Sequence, residues 1–427
     1  MNEGAAGWRP ARAAAARCPS HFDSMCWRDA GQTLLSRYNG QVFAQRTHWQ
    51  LAPNRLTSAL QRLRVAGADI LDLTESNPTR CGLRYDQAQI LSALANPESL
   101  GYSPDANGLR SARQAVAAYY QERGSPIDAE RIVLTTSTSE GYFFVFRLLC
   151  DPGDEVLVPS PSYPLFELLA DVHDVKLVPY PLFYDHGWHV DLHSLQSAVS
   201  ARSRALMVVH PNNPTGSYVK PGEAEALSRL CRERQLALVA DEVFLDYAQG
   251  GPPQPSFAGN LQALTFTLSG LSKISALPQM KVAWIVTSGP SDLQPTARER
   301  LEVIADTYLS LSTPLQLATP QLLDQRHAMR SQLLERIAAN LSELDAQLSR
   351  QKACQRLLIE GGWYVVLRVP VTGSDEELTL ALLQRQSVFV HPGHFYDFPG
   401  DGYLVLSLIT RPEPFREGVK RLLQHIS

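Results

Sequence analysis

The order of apolar and amphipathic segments predicts an α/β protein with a mostly parallel sheet covered by helices, plus a smaller α+β domain. Strand-like and helical segments alternate from residue 132 to residue 286. The strand-like segments 205–209 and 236–240 are apolar throughout, which is typical of strands that are buried on both faces. The chain has 427 residues and exceeds the size at which single cores stop growing, which favours two domains.

The large domain is predicted from the alternating segments. The expected strands are 132–134, 155–158, 176–180, 205–209, 236–240, 264–268 and 282–286. The expected helices are 109–123, 140–149, 165–172 and 221–234. Each helix carries an apolar face, so the helices can cover the sheet.

The two ends of the chain are expected to form the smaller domain together. Leu56, Leu60 and Leu63 lie on one face of a predicted helix over 55–66, and a short strand follows at 70–73. Later elements are expected as a helix over 321–350, strands over 363–369, 387–390 and 403–408, and a helix over 414–425. We therefore predict a small domain from 43–100 and 311–427, a large domain over 101–310, and a disordered extension over 1–42.

Composition and charge favour a small-molecule partner. A formal net charge of −4 gives no general attraction to nucleic acid or to an anionic membrane surface. The six cysteines are scattered without a C-x-x-C pair, which predicts reduced thiols, a cytoplasmic protein and no metal site. No apolar run approaches the length needed to span a bilayer, and the N-terminus lacks the apolar core of a secretory signal.

Polar residues follow the ends of several predicted strands. The loop 135–139 and the residues Tyr163, Asn213, Asp241 and Lys273 can therefore meet in one crevice at the carboxyl edge of the sheet. An amine desolvated at Lys273 would have a lowered pKa and would attack a carbonyl. A buried carboxylate at Asp241 needs a partner, and a protonated ring nitrogen or an arginine would serve. The hydroxyl-rich loop 135–139 could bind an anion or could simply cap a helix.

Several motifs resemble those of fold type I pyridoxal-phosphate (PLP) enzymes, specifically the class I/II aminotransferase family. In order, they are Tyr102…Gly108…Arg110, Pro152-Gly-Asp-Glu-Val-Leu, Pro161-Ser-Tyr-Pro, Pro211-Asn-Asn-Pro-Thr-Gly, Ala240-Asp-Glu-Val and Leu271-Ser-Lys. The resemblance covers residues 45–425 and implies a PLP-dependent transferase-like large domain. It also implies a homodimer with composite active sites.

The resemblance implies a role for each matching residue. Lys273 would form the aldimine with PLP and then move the proton at the substrate's Cα, and Asp241 would pair with the pyridinium nitrogen. Asn213 would hydrogen-bond the 3-oxygen, and Tyr163 would stack on the ring. The residues implied to hold the phosphate are Thr138, Ser139, Ser272, Lys281 and, from the neighbouring subunit, Tyr102.

Three departures from the family pattern bear on the cofactor and the substrate. Lys281 stands in place of a phosphate-binding arginine, and Phe244 in place of a tyrosine. Val405 stands where the family places the arginine that clamps the substrate's α-carboxylate. The candidates to bind the substrate instead are Arg411, Arg80, Asn77 and Arg368.

The expected activity is transfer of an amino group between an amino acid or amine and a 2-oxo acid. A PLP-dependent lyase or decarboxylase on the same scaffold is an alternative, because motifs around the cofactor barely distinguish these reactions. A non-catalytic PLP-binding homologue is a further alternative. Against it stand the presence of Lys273 and the short, irregular segment 1–42, which does not suit a DNA-binding module.

Overall fold

One large sheet and two small ones organise the protein. The computed structural model describes residues 42–49, 51–250 and 254–426. Within these residues the strands are β1 (Leu71–Asp72), β2 (Ile132–Thr135), β3 (Glu155–Ser160), β4 (Lys176–Tyr184), β5 (Trp188–Val190), β6 (Ser203–Val209), β7 (Ala237–Asp241), β8 (Thr265–Gly270), β9 (Ala283–Ser288), β10 (Gln355–Arg356), β11 (Tyr364–Arg368), β12 (Val388–Phe389), β13 (His391–Pro392) and β14 (Tyr403–Ser407). The α-helices are α1 (Arg55–Val65), α2 (Gln87–Leu94), α3 (Arg110–Glu122), α4 (Thr138–Leu149), α5 (Leu165–Val172), α6 (Leu192–Ala198), α7 (Pro221–Arg234), α8 (Leu271–Ile274), α9 (Gln294–Tyr308), α10 (Thr313–Asp324), α11 (Arg326–Leu348), α12 (Asp375–Gln386) and α13 (Pro412–Ile426).

The large sheet has the strand order β2-β9-β8-β7-β6-β3-β4-β5. The five central strands β8, β7, β6, β3 and β4 run parallel to one another. Strand β9 runs antiparallel between β8 and β2, and β5 runs antiparallel to β4. The prediction of a mostly parallel sheet is therefore confirmed.

Helices cover both faces of the large sheet, because successive side chains of the central strands point to opposite faces. In β7, Val239 belongs to a buried cluster that includes Phe146 of α4 and Leu301 of α9. The preceding residue, Leu238, belongs instead to a cluster with Leu227 of α7. This double burial explains why the central strands are apolar along their whole length.

The two ends of the chain meet in the smaller sheets. Strand β1 pairs in parallel with β12, and β10, β11, β14 and β13 form a four-stranded antiparallel sheet in that order. Helix α13 lies very close to β1, because a Cβ added at Gly418 would lie 2.7 Å from a methyl group of Leu73. A buried cluster joins α1, α11, α12 and α13 to these sheets.

Two predicted elements differ from the structure. The single helix expected over 321–350 is wrong, because α10 ends at Asp324 and α11 begins at Arg326. At the break, the buried side chain of Gln325 donates from Nε2 to Oε1 of Gln89 at 2.7 Å. The strand expected over 387–390 is divided into β12 and β13, which pair with different partners, β1 and β14.

The extension expected over 1–42 lies, apart from its last residue, outside the described residues. The predicted domain boundaries stay a prediction. Among the described residues, no helix combines the length and the apolarity needed to cross a bilayer. Within that same part of the chain, no cluster of three or more His, Cys, Asp or Glu side chains has the arrangement to hold a metal ion.

Replacement of Phe415 tests how strongly α13 holds the smaller sheets. The ring is fully buried, so we expect Phe415→Ala to lower the free energy of unfolding by about 3–5 kcal/mol. Urea unfolding followed by circular dichroism measures this loss. Val65→Ala is the matched control, because Val65 is 90% exposed on α1 and its truncation should change stability by less than about 0.5 kcal/mol. Equal stability of the two variants would contradict the proposed packing.

Candidate active site

The carboxyl ends of β2, β3, β6, β7 and β8 open into one cavity of about 460 Å³. Strand β2 points the same way as the parallel strands, because β9 lies between β2 and β8 and runs antiparallel to both. The cavity brings together nine residues that the sequence singles out. They are Asn77, Thr138, Ser139, Tyr163, Asn213, Asp241, Ser272, Lys273 and Lys281.

Lys273 lies in α8, the short helix that follows β8. Its Nζ lies 5.5 Å from the ring centroid of Phe244 and 5.0 Å from that of Trp363. Burial lowers the pKa of Lys273 to about 8, although the negative charge of Asp241 acts in the opposite direction. The neutral fraction of the amine near neutral pH is therefore larger than that of an ordinary lysine, and the neutral amine is the form that attacks a carbonyl.

Asp241 is the last residue of β7, and its side chain is buried at the floor of the same cavity. The hydroxyl of Tyr142 donates to Oδ2 at 2.7 Å, and the backbone N–H of Val243 donates to Oδ1 at 3.1 Å. Burial raises the pKa of Asp241, whereas these two hydrogen bonds and the charge of Lys273 lower it. The carboxylate thus depends on the donors around it to carry a negative charge.

The N-terminus of α4 opens onto the cavity. Ser137 caps this 12-residue helix, with its Oγ accepting from the backbone N–H of Glu140 at 3.1 Å. The first turn presents backbone N–H groups and hydroxyls to the cavity, and the helix dipole favours a negative charge there. Ser272 and Lys281 add a further hydroxyl and an ammonium group to the lining of the cavity. Lys281 has a left-handed backbone, with φ 52° and ψ 50°.

Asn213 and Tyr163 lie on the loops that follow β6 and β3. The side-chain Oδ1 of Asn213 is buried and has no hydrogen-bond partner among the described residues. Because an unpaired buried polar atom is costly, Asn213 suits a polar ligand in the cavity. The ring of Tyr163 packs edge-on against Phe166, with centroids 5.7 Å apart, which fixes its orientation.

Tyr102 does not line this cavity. Its side chain is 79% exposed and borders a separate surface depression next to Leu309 and Ser310. The role implied for Tyr102, in the site of a neighbouring subunit, stays a prediction.

The three arginines considered for the substrate also lie outside the lining of the cavity. Arg80 is exposed, and its Nη1 lies 3.9 Å from Oε2 of Glu75. Arg411 is exposed and lies beside Gly82, where an added Cβ would be 3.3 Å from its Nε. Arg368 stacks on two rings of neighbouring elements, and Asn77 is the candidate that lines the cavity.

Val405 is buried in β14, opposite Val366 of β11, and does not line the cavity. Phe244 does line it and packs edge-on against Trp363, with ring centroids 5.3 Å apart. These two positions are therefore apolar and packed, where the family pattern has charged or hydroxyl groups.

Two residues of the site were missed in the sequence. Tyr142 lies in the longest apolar run of the chain. It follows Thr138 by four residues, and this helical spacing places its hydroxyl on the same face of the helix as Thr138. Trp363 was assigned only to a strand. Its ring reaches Lys273 from a position 90 residues further along the chain, and no local pattern could indicate this contact.

Comparisons with known proteins agree with this arrangement. The sequence model of the family described as aminotransferase class I and II matches residues 69–420. The chain is 25% identical over 375 residues to the glutamate-pyruvate aminotransferase AlaA of Haemophilus influenzae, covering 86% of this chain and 93% of the relative. It is 28% identical over 373 residues to the alanine aminotransferase of Mycobacterium tuberculosis H37Rv, covering 84% and 86%.

A solved structure shows the same fold. The alanine aminotransferase from Pyrococcus furiosus superposes with a TM-score of 0.79 at 21% identity, covering 87% of this chain and 95% of that one. The family match covers most of the chain, and the resemblance predicted from the motifs is confirmed. The protein is therefore an enzyme of the class I and II aminotransferase family.

Proposed function

We propose that the protein binds PLP in the cavity at the carboxyl edge of the large sheet and uses it to transfer an amino group from an amino acid to a 2-oxo acid. The observation that carries this proposal is the enclosed Lys273, with its lowered pKa, in the same cavity as the buried carboxylate of Asp241. An amine prepared to attack an aldehyde and a carboxylate prepared to pair with a ring cation match the two ends of PLP chemistry.

The other residues of the cavity fit the remaining groups of PLP. The N-terminus of α4, with Thr138 and Ser139, would hold the phosphate together with Ser272 and Lys281. Asn213, which lines the cavity, would donate from its side-chain Nδ2–H to the 3-oxygen. The ring of Tyr163 would stack on the ring face.

The chain's own residues would then divide the work. When bound, PLP supplies an electron-withdrawing ring that weakens a bond at the substrate's Cα. Lys273 would hold the cofactor covalently through Nζ, and in its free form Nζ would take and return the Cα proton. A pKa of about 8 suits both directions of this transfer near neutral pH. Asp241 would keep the ring nitrogen protonated.

The substrate's carboxylate is bound differently from the family pattern. Among the described residues, no arginine lines the cavity, and Val405 occupies the position of the usual clamp. We propose Arg411, Arg80 and Asn77 as the groups that take its place. Asn77 already lines the cavity. Arg80 lies in the turn that follows Asn77 in the chain, and Arg411 lies beside Gly82 at the end of that turn.

A donor screen tests the reaction type. Because relatives act as glutamate-pyruvate and alanine aminotransferases, alanine and glutamate are the first donors to try. Without an acceptor, a transaminase should release one oxo acid per site while the bound aldehyde is converted to an amine. Continuous release of oxo acid and ammonia without this conversion would instead identify a lyase. Lys273→Ala is the control, and it should show neither conversion nor the visible absorbance of a lysine-bound cofactor.

Replacement of Lys281 tests the phosphate cradle. Loss of the ammonium in Lys281→Ala should weaken PLP binding by about tenfold. This is the lower end of the range for a hydrogen bond between charged groups, because the side chain is exposed to solvent. Lys281→Arg should bind PLP at least as tightly as the wild type, because a guanidinium can bind two phosphate oxygens at once. Titration of the cofactor-free protein with PLP measures both.

Lys420→Ala is the matched control for this series, because Lys420 lies on α13 and is 58% exposed near Glu417, away from the lining of the cavity. It should leave PLP affinity unchanged. An unchanged affinity in Lys281→Ala would remove Lys281 from the phosphate site.

We further propose a homodimer in the cytoplasm, in which Tyr102 reaches the phosphate of the partner's site. Support comes from exposed apolar side chains around Tyr102, which a second subunit would cover. Leu100 is 95% exposed, Val303 70% and Tyr308 47%. The four cysteines of the described residues are free thiols, which suits a reducing compartment.

Mixed subunits test the composite site. Tyr102→Ala and Lys273→Ala should each be nearly inactive at limiting PLP, because one lacks a phosphate contact and the other lacks the amine. After dissociation and reassociation together, a hybrid dimer would contain one intact site, and activity should rise to about a quarter of the wild type. Absence of any gain would show that Tyr102 does not act across a subunit interface.

A further inference from the structure

The buried hydroxyl of Tyr142 is directed at the carboxylate of Asp241. Tyr142 lies on α4, and its ring is buried. The ring lies edge-on to Phe166, with centroids 5.4 Å apart, and is tilted against Phe146, with centroids 6.1 Å apart. These contacts fix the direction of the hydroxyl. It points at Oδ2 of Asp241 at 2.7 Å, on the face of the sheet that α4 covers.

The two hydrogen bonds to Asp241 leave one acceptor position unused on each carboxylate oxygen. Tyr142 occupies one side of Oδ2 and the Val243 N–H one side of Oδ1, and each carboxylate oxygen can accept two hydrogen bonds. The carboxylate therefore has a fixed orientation and two unused acceptor positions while it lines the cavity. Such an arrangement suits a cationic N–H donor that approaches from the cavity.

Tyr142 is also suited to keep its own proton. Burial raises the pKa of Tyr142 well above its usual value, and the neighbouring charge of Asp241 adds to this. The hydroxyl therefore donates a hydrogen bond without giving up its proton. The other titratable groups that face Asp241 are Tyr163, Lys273 and Glu242, and among them Lys273 also favours the ionised carboxylate.

We propose that Tyr142 is a positioning residue that keeps the buried carboxylate of Asp241 ionised and directed at the ring nitrogen of the cofactor. It does not touch the cofactor itself and acts only through Asp241. This inference rests on the proposed binding of PLP, but its first consequence can be measured without any cofactor.

The first test compares the pH dependence of stability in three cofactor-free proteins. Burial places the folded-state pKa of Asp241 above its unfolded value, so the associated stability is present at low pH and is lost as pH rises through the folded-state pKa. Tyr142→Phe removes a hydrogen bond that lowers this pKa. Its melting temperature should therefore fall more steeply than that of the wild type as the pH rises above about 4, the ordinary pKa of an aspartic acid.

Tyr180→Phe is the matched control. Tyr180 is equally buried in the large sheet, and its hydroxyl donates a single hydrogen bond of 2.8 Å to the neutral backbone oxygen of Met207. Its loss should lower the melting temperature by a similar amount at every pH. Parallel pH curves for Tyr142→Phe and Tyr180→Phe would overturn the proposal, because both tyrosines would then be merely structural.

The second test uses PLP and an analogue in which a carbon replaces the ring nitrogen. Wild-type protein should prefer PLP, and Tyr142→Phe should reduce the ratio of the two dissociation constants by about tenfold, the effect of one hydrogen bond to a charged group. In an Asp241→Asn background, Tyr142→Phe should leave the ratio unchanged. Equal weakening of both ligands by Tyr142→Phe would contradict an action through Asp241.

These outcomes separate the two proposals. Failure of the wild type to bind PLP at all would overturn the proposed function, whereas the pH curves of the cofactor-free proteins would still decide the coupling of Tyr142 to Asp241. Binding of PLP by the wild type, with an unchanged ratio in Tyr142→Phe, would overturn only the role of Tyr142.

Discussion

The site depends on the removal of water from one amine and one carboxylate at the ends of adjacent strands. Strands β7 and β8 run in parallel register, with Asp241 opposite Leu268, and Lys273 follows five residues after that partner. Burial shifts the pKa values of both groups towards their neutral forms. The charge of each group partly offsets the pKa shift of the other. This mutual effect depends on the short distance between the two groups, which the adjacent strands β7 and β8 maintain.

The helices on both faces of the sheet provide that support. Because Val239 and Leu238 pack against different clusters, neither face of β7 can shift without disturbing a buried core. The cavity therefore lies at the edge of a rigid layer, where loops can vary while the strand ends stay in place. Lys281 and Phe244 lie on such loops, whereas Val405 departs from the family pattern within strand β14.

Much of this arrangement follows from local patterns in the sequence. Asn213, Asp241 and Lys273 could be placed together because each one ends or follows an apolar strand, and parallel strands bring their carboxyl ends to one edge. The break at Gln325 could not be predicted, because it depends on a long-range hydrogen bond to Gln89 rather than on a helix-breaking residue. The contact of Tyr142 with Asp241 depends on how a helix packs over the sheet, which the sequence of the helix does not specify.

Trp363 makes the enclosure of the reactive amine depend on two distant parts of the chain. Its ring, 5.0 Å from Nζ of Lys273, belongs to a segment 90 residues further along the chain. The burial that lowers the pKa of Lys273 is therefore a property of the assembled fold and not of the loop that carries the lysine. A fragment that ended before residue 363 would keep the lysine but lose this part of its enclosure.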